Sequence, residues 1–384
     1  MSKRSIFQEE HDQFRRTVRR FVEAEILPHR VAWEKAGTVP PEVWRKAGEA
    51  GLLCCDQPIE HGGGGGDFLH NVIVNEEMTA AGGSGPAFSG HSDIVVPYLS
   101  VYGTPEQKER WLPAMARGEV ITAIGMTEPS AGSDLQAMRT SAVRDGDDYV
   151  INGQKVFISN GHQAHLLLLA CKTDPTARGK GISMVLVETD RPGFTRGRML
   201  EKIGRKAQDT SELFFADLRV PVSNLLGQEG AGFGMMMNLL AQERLSSAVR
   251  AMAATERALQ STVDYVSERE AFGRKIADFQ NTQFLLADLW SETMVHRVFV
   301  DDCIARHLRG ELSAVDAAAA KLRASELEGR VIDQCLQLFG GWGYMWEYPI
   351  ARAYADARVD RISAGSNHIL KLIIGRDLLR PARA

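Results

Sequence analysis

The strongest constraint on this chain is the order in which its hydrophobic periodicity changes. Over the first ~118 residues apolar side chains recur at helical spacing, as at Phe14, Val18, Phe21 and Val22. From about Val120 to Leu226 short apolar runs punctuated by proline and glycine take over, and after Gly234 helical spacing returns almost to the end. A doubly wound nucleotide fold needs strands and helices in alternation, so this order argues against one. The pattern predicts an α+β protein with an N-terminal helical domain over 1–118, a middle antiparallel β domain over 119–230 and a C-terminal antiparallel helical bundle over 231–384.

Local signals refine this. Thr104-Pro105-Glu106 predicts a helix start, with a capping residue before proline, and a shorter helix is expected from Pro41 to about Ala50. Tyr149 to Ile158 reads as a hairpin turning at Asn152-Gly153, because Asn-Gly tolerates the positive φ of a tight turn. Leu166–Ala170, Ile182–Val187 and Glu212–Phe215 read as further strands. Long helices are expected over Phe233–Glu268, Phe279–Arg309 and Ala314–Phe339. The run Gly62 to Gly66 reads as a mobile loop.

A chain of 384 residues with 44% hydrophobic content can bury more than one core. Its net charge of -4 gives no support for nucleic-acid binding, which needs a basic excess on one face. The five cysteines form no metal-ligand spacing or disulfide framework, which suits a reducing compartment. No apolar run approaches a membrane span. Arg15, Arg16, Arg19 and Arg20 are interrupted by too much nearby acid for a targeting presequence, so a soluble cytoplasmic protein without a metal is expected. Walker, G-x-G-x-x-G, H-E-x-x-H and G-x-S-x-G motifs are missing from the places where they would carry chemistry.

The informative segment is Met126-Thr127-Glu128-Pro129-Ser130-Ala131-Gly132-Ser133-Asp134, a turn rich in hydroxyls and backbone N–H groups. It resembles the first signature of the acyl-CoA dehydrogenases nearly letter for letter. Lys155-Val156-Phe157-Ile158-Ser159-Asn160-Gly161 is similar to the second flavin strand of that family. Ser267 to Gly273 with Gln280, and Gln337 to Tyr344, resemble two further motifs in the same order. The resemblance runs from roughly residue 5 to 380.

It implies FAD as cofactor, held by Met126, Thr127, Ser133, Phe157, Ser159 and Ser366. Arg269, Phe272, Gln280, Gln337, Gly340 and Gly341 would meet the FAD of a neighbouring subunit in a homotetramer. A permanently charged Arg269 suits a pyrophosphate, and paired glycines let backbone approach a ligand. Ser133, Arg244, Tyr265, Ala364 and Gly365 are the implied substrate contacts. The implied reaction is α,β-dehydrogenation of an acyl-CoA thioester, with an electron-transfer flavoprotein as acceptor. Gly341 to Pro349 and Ser84 to Phe88 are most similar to the long-chain type, so medium- to long-chain acyl groups are expected. Branched or terpenoid acyl groups, or an oxidase or monooxygenase on the same fold, are the alternatives.

Many family members carry the catalytic base immediately before a Gly-Thr pair near the C-terminus. Here Ala364 occupies that place, and alanine cannot accept a proton. The long-chain and isovaleryl types carry a glutamate in an E-R-L context, which Glu243-Arg244-Leu245 matches. Helical spacing puts Met236, Leu239 and Leu240 beside Glu243, so burial should raise its pKa towards that of a useful base. Arg250 falls on the same face two turns on, so that face is not wholly apolar.

Overall fold

The computed structural model describes residues 4–82 and 85–380. Six helices come first: α1 (Glu9–Phe21), α2 (Arg30–Ala36), α3 (Pro41–Glu49), α4 (Phe68–Ala80), α5 (Val96–Tyr102) and α6 (Pro105–Ala116). Thr104 caps α6 as expected, its hydroxyl accepting from Gln107 N at 3.2 Å. Ser84 of the Ser84–Phe88 segment lies outside the described residues.

The middle region holds β1 (Thr122–Gly125), β2 (Ser141–Asp145), β3 (Asp148–Ser159), β4 (Leu166–Lys172), β5 (Ile182–Glu188), β6 (Phe194–Met199), β7 (Thr210–Pro221) and β8 (Leu225–Leu226). They form one sheet in the order β6-β7-β3-β2-β4-β5-β8, with β1 on β4. It is not purely antiparallel, because β4 pairs in parallel with β1 and, at one residue pair, with β2.

The hairpin expectation at Asn152-Gly153 is wrong. Both residues lie inside the unbroken strand β3, and the reversal falls at Gly146-Asp147 between β2 and β3. Gly153 is needed for another reason: a Cβ there would meet Thr140 Oγ1 at 2.6 Å. The β3–β7 register slips at this point, so the glycine marks a bulge and a close approach.

The run Gly62 to Gly66 is not a loose loop either. The amides of Gly63, Gly64, Gly65 and Gly66 bond to the carbonyls of Pro58, Cys54, Gln57 and Cys55. A Cβ on Gly63 would sit 2.3 Å from Gln57 O. Lack of side chains allows a tight coil there.

The C-terminal region comprises α7 (Gly232–Glu268), the two-strand hairpin β9 (Glu270–Ala271) and β10 (Arg274–Lys275), α8 (Gln280–Leu308), α9 (Ala314–Leu338), α10 (Pro349–Ala357) and α11 (Asn367–Leu378). A buried apolar cluster from α7, α8 and α9, including Leu245, Met252, Leu289, Leu327 and Val331, binds the three long helices together. Helix α7 also packs on α4, so one face of it is shared between the two helical regions. All five cysteines are buried and unpaired with one another. No described helix is long and apolar enough to cross a membrane.

Candidate active site

Three groups of the residues singled out in the sequence are each brought together. The first lies where β1 runs into the hydroxyl-rich turn. Lys155 crosses beneath that turn, its Nζ donating to Met126 O at 3.0 Å and to Glu128 Oε1 at 2.8 Å. Val156 N donates to Thr127 O at 3.0 Å, which fastens β3 to the turn. Glu128 accepts from Arg139 N and Thr140 N, at 2.6 and 2.9 Å. Both ionised groups are buried. The lysine and these hydrogen bonds outweigh desolvation and hold the Glu128 carboxyl below its usual range.

Next to this strut the β3–β7 register slips again between Lys155 and Ile158, and Phe157 is forced to φ 62. A bulky residue in the left-handed region is strained, yet its ring is 66% exposed. Packing within the chain does not explain that strain, whereas an aromatic platform for a ring ligand does. Ser159, also exposed, has a hydroxyl with no protein hydrogen bond among the described residues. Ser133 stands exposed on the turn itself.

The second group occupies the far end of the bundle. Phe272 and Gly273, at φ 55 and 74, form the two-residue turn between β9 and β10. Two positive φ values make a type I′ turn, and the Phe272 ring is 96% exposed. Arg269 has neither the Glu268 nor the Glu270 ion pair that would make it merely structural, and Gln280 and Gln337 are exposed. At Gly340 and Gly341 a Cβ would meet nothing within 4 Å. Among the described residues no hydrogen bond, ion pair or ring contact joins this group to the first.

Tyr265 lies with this second group. Its ring stacks on Phe339 at 4.2 Å, about 33 Å from Glu243 along α7.

The third group centres on Glu243. It is half-buried on α7, and its carboxylate makes no hydrogen bond or ion pair among the described residues. Burial raises its pKa above the ordinary carboxylate value, against the opposing pull of Arg244, Arg250 and Lys321. Across from α7, the turn before α11 carries Ala364 at φ 53 and Gly365 at φ 87, with half-buried Ser366 following. A Cβ on Gly365 would lie 3.9 Å from Arg244 Nη2. Thus Arg244, the neighbour of Glu243 on α7, lies against the turn that carries Ala364 and Gly365.

Two residues of this group were missed in the sequence. Lys321 on α9 is buried; its Nζ donates to Gly365 O at 3.0 Å and to Asn367 Oδ1 at 3.1 Å, which fastens the turn. Burial pulls its pKa down to about 8. A lysine within a run of buried alanines on α9 was the available signal. Tyr98 on α5 is also buried; burial and then Glu243 push its hydroxyl pKa up, and the hydroxyl has no partner. Nothing in the sequence around Tyr98 marks it out.

A helical, sheet and helical architecture with exposed aromatics and a half-buried carboxylate that lacks a partner suits a flavin-dependent acyl-thioester oxidoreductase. The chain belongs to the acyl-CoA dehydrogenase family, whose members use FAD. The family's N-terminal, middle and C-terminal domains match residues 8–119, 123–218 and 230–379. The chain is 50% identical over 378 residues to the mitochondrial long-chain specific acyl-CoA dehydrogenase of Mus musculus, covering 98% of this chain and 88% of that one. An acyl-CoA dehydrogenase of Geobacillus kaustophilus superposes with a TM-score of 0.97 at 48% identity, covering 98% and 100% of the two chains. A glutaryl-CoA dehydrogenase of Mycobacterium smegmatis in complex with FADH2 superposes at 0.91 with 28% identity, covering 98% and 96%.

The residues present suit FAD. Two strained aromatics stand in the open, an unpaired arginine ends α7, and paired glycines leave space for a close approach.

Proposed function

We propose that Glu243 is the base that removes the α proton of a medium- to long-chain acyl-CoA, giving the trans-2-enoyl thioester. Bound FAD would supply the acceptor for the hydride that leaves the β carbon. The observation that carries this reading is a desolvated carboxylate with no partner beside the Ala364–Gly365 turn. A weakly acidic C–H needs such a base together with polarisation of the thioester carbonyl.

The backbone N–H of Ala364 is the donor we assign to that carbonyl. It survives the loss of a side-chain base at this position, and Lys321 holds the turn that presents it. Arg244, whose buried Nε lacks a partner, lines the same place. Phe157 and Ser159 are assigned to the flavin ring. Arg269, Phe272, Gln280, Gln337, Gly340 and Gly341 are assigned to the FAD of a neighbouring subunit. On this reading the protein is a cytoplasmic homotetramer that passes electrons to an electron-transfer flavoprotein. Its five unpaired cysteines suit that compartment.

The test is anaerobic mixing of the purified flavoprotein with acyl-CoAs of graded length. The wild type should bleach, and Glu243→Gln should bind flavin but stay yellow. Bleaching of that variant at near wild-type rate would remove Glu243 from the reaction.

A further inference from the structure

Two turns along α7 from Glu243, on the same face and about 10 Å further along the axis, lies a guanidinium that the reaction above does not use. Arg250 makes one side-chain hydrogen bond, from Nη2 to Ser247 Oγ at 3.1 Å. Its Nε and Nη1 are buried with no partner. No acid comes within ion-pair distance of it among the described residues.

Three acids act on Arg250 from further off, and two of them are otherwise engaged. Asp360 holds Arg205 at 2.6 Å. Asp93 accepts from Asn75 Nδ2 at 2.6 Å, and burial pushes its carboxyl up to about 7, so at neutral pH it is an incomplete counter-ion. Glu243 loses its charge whenever it takes a proton. Arg205 adds a like charge from the β domain side. Tyr98, the neighbour of Glu243 on α5, likewise keeps its buried hydroxyl unpartnered. Buried donors without partners in a native protein call for water or a ligand.

Water would satisfy the N–H groups but leave the charge unpaired in a poorly solvated interior. An anion does both. We infer that Arg250 recognises a carboxylate at the far end of the acyl chain, so that the preferred substrates are CoA thioesters of long dicarboxylic acids. This rests on the dehydrogenase reading, since Glu243 fixes where the thioester lies. The carboxylate then stands several carbons beyond the bond being oxidised. Plain fatty acyl groups would press methylenes against an unpaired charge, which disfavours them.

The experiment compares two series of CoA thioesters, monocarboxylic acids and the matching ω-carboxy acids, by stopped-flow bleaching of the holoenzyme. At one matching length the ω-carboxy thioester should have a kcat/KM greater by about tenfold or more, a ratio within reach of one buried charge pair. Arg250→Met should abolish that preference while leaving plain thioesters at least as good. Arg250→Lys should fall between. Preference for plain thioesters at every length in the wild type would overturn the inference, and so would a Met variant that weakens both series by the same factor. Should Arg250→Met fail to fold, the wild-type preference and the lysine variant decide. If no thioester bleaches the flavin, the dehydrogenase reading fails instead. Equilibrium binding of the two series then tests Arg250 alone, and equal affinities would overturn its role.

Discussion

Glu128 and Glu243, two of the several glutamates withdrawn from solvent among the described residues, are opposites. Glu128 is saturated by Lys155 and two backbone amides, and its pKa is held down. Glu243 has no partner, and burial drives its pKa up. A saturated buried charge holds structure in place, whereas an unsatisfied one keeps its proton affinity available for chemistry. Both stand in motifs that the sequence offered as functional. What separates them is the company each keeps.

That contrast can be broken by exchanging the partners' fates. Glu243→Gln should lower the rate of flavin reduction by about 10²–10⁴-fold while leaving the thermal midpoint at least as high as that of the wild type. A large drop in midpoint would make Glu243 structural. Glu128→Ala should do the reverse. It strands the buried Lys155 ammonium, which should cost about 3–5 kcal/mol in urea unfolding and loosen flavin retention. A loss near zero would show that the strut is dispensable.

Acidity sharpens the contrast. Glu243 has a raised folded-state pKa, so its contribution to stability is fully present below the unfolded value and is lost as pH rises through the folded value. The stability advantage of Glu243→Gln over wild type should therefore be largest at alkaline pH and vanish in acid. Glu128 has a depressed pKa, so its contribution is present above the unfolded value and is lost as pH falls through the folded one. The wild-type advantage over Glu128→Gln should shrink in acid. Parallel pH curves for the two pairs would remove the distinction. The acid limb of kcat/KM should also lie above an ordinary glutamate pKa, since the base must be ionised to act. The smallest effect concerns strain beside the saturated turn. Phe157→Gly relieves a left-handed conformation costing about 1–2 kcal/mol and loses about 0.4–1 kcal/mol to a freer unfolded chain. The flavin-free protein should therefore be stabilised by up to about 1 kcal/mol in denaturation, yet bind flavin more weakly. Destabilisation of the flavin-free protein would mean that the ring packs within its own chain.

The long helices were legible almost to the residue. One of their ends carries clear local chemistry, the Ser313 hydroxyl that accepts from Asp316 N at the start of α9. Strands fared worse, because a glycine between two β runs serves a turn or a close approach equally well, and at Gly153 the deciding atom is Thr140 Oγ1. Glu243 was legible because the string Glu243-Arg244-Leu245 matches a family base position and its apolar neighbours on α7 can be read from helical spacing. Lys321 and Tyr98 were not, since what makes them matter arrives from α11 and α7.

The lysine beneath the hydroxyl-rich turn has a consequence for how the cofactor platform comes into being. One of its hydrogen bonds spans 29 positions in sequence and another spans 27, so the turn borrows its shape from a strand made later on the ribosome. A synthetic peptide covering Met126 to Asp134 would have no reason to adopt it. Capture of the flavin ring by this turn therefore follows the docking of β3 and cannot precede it.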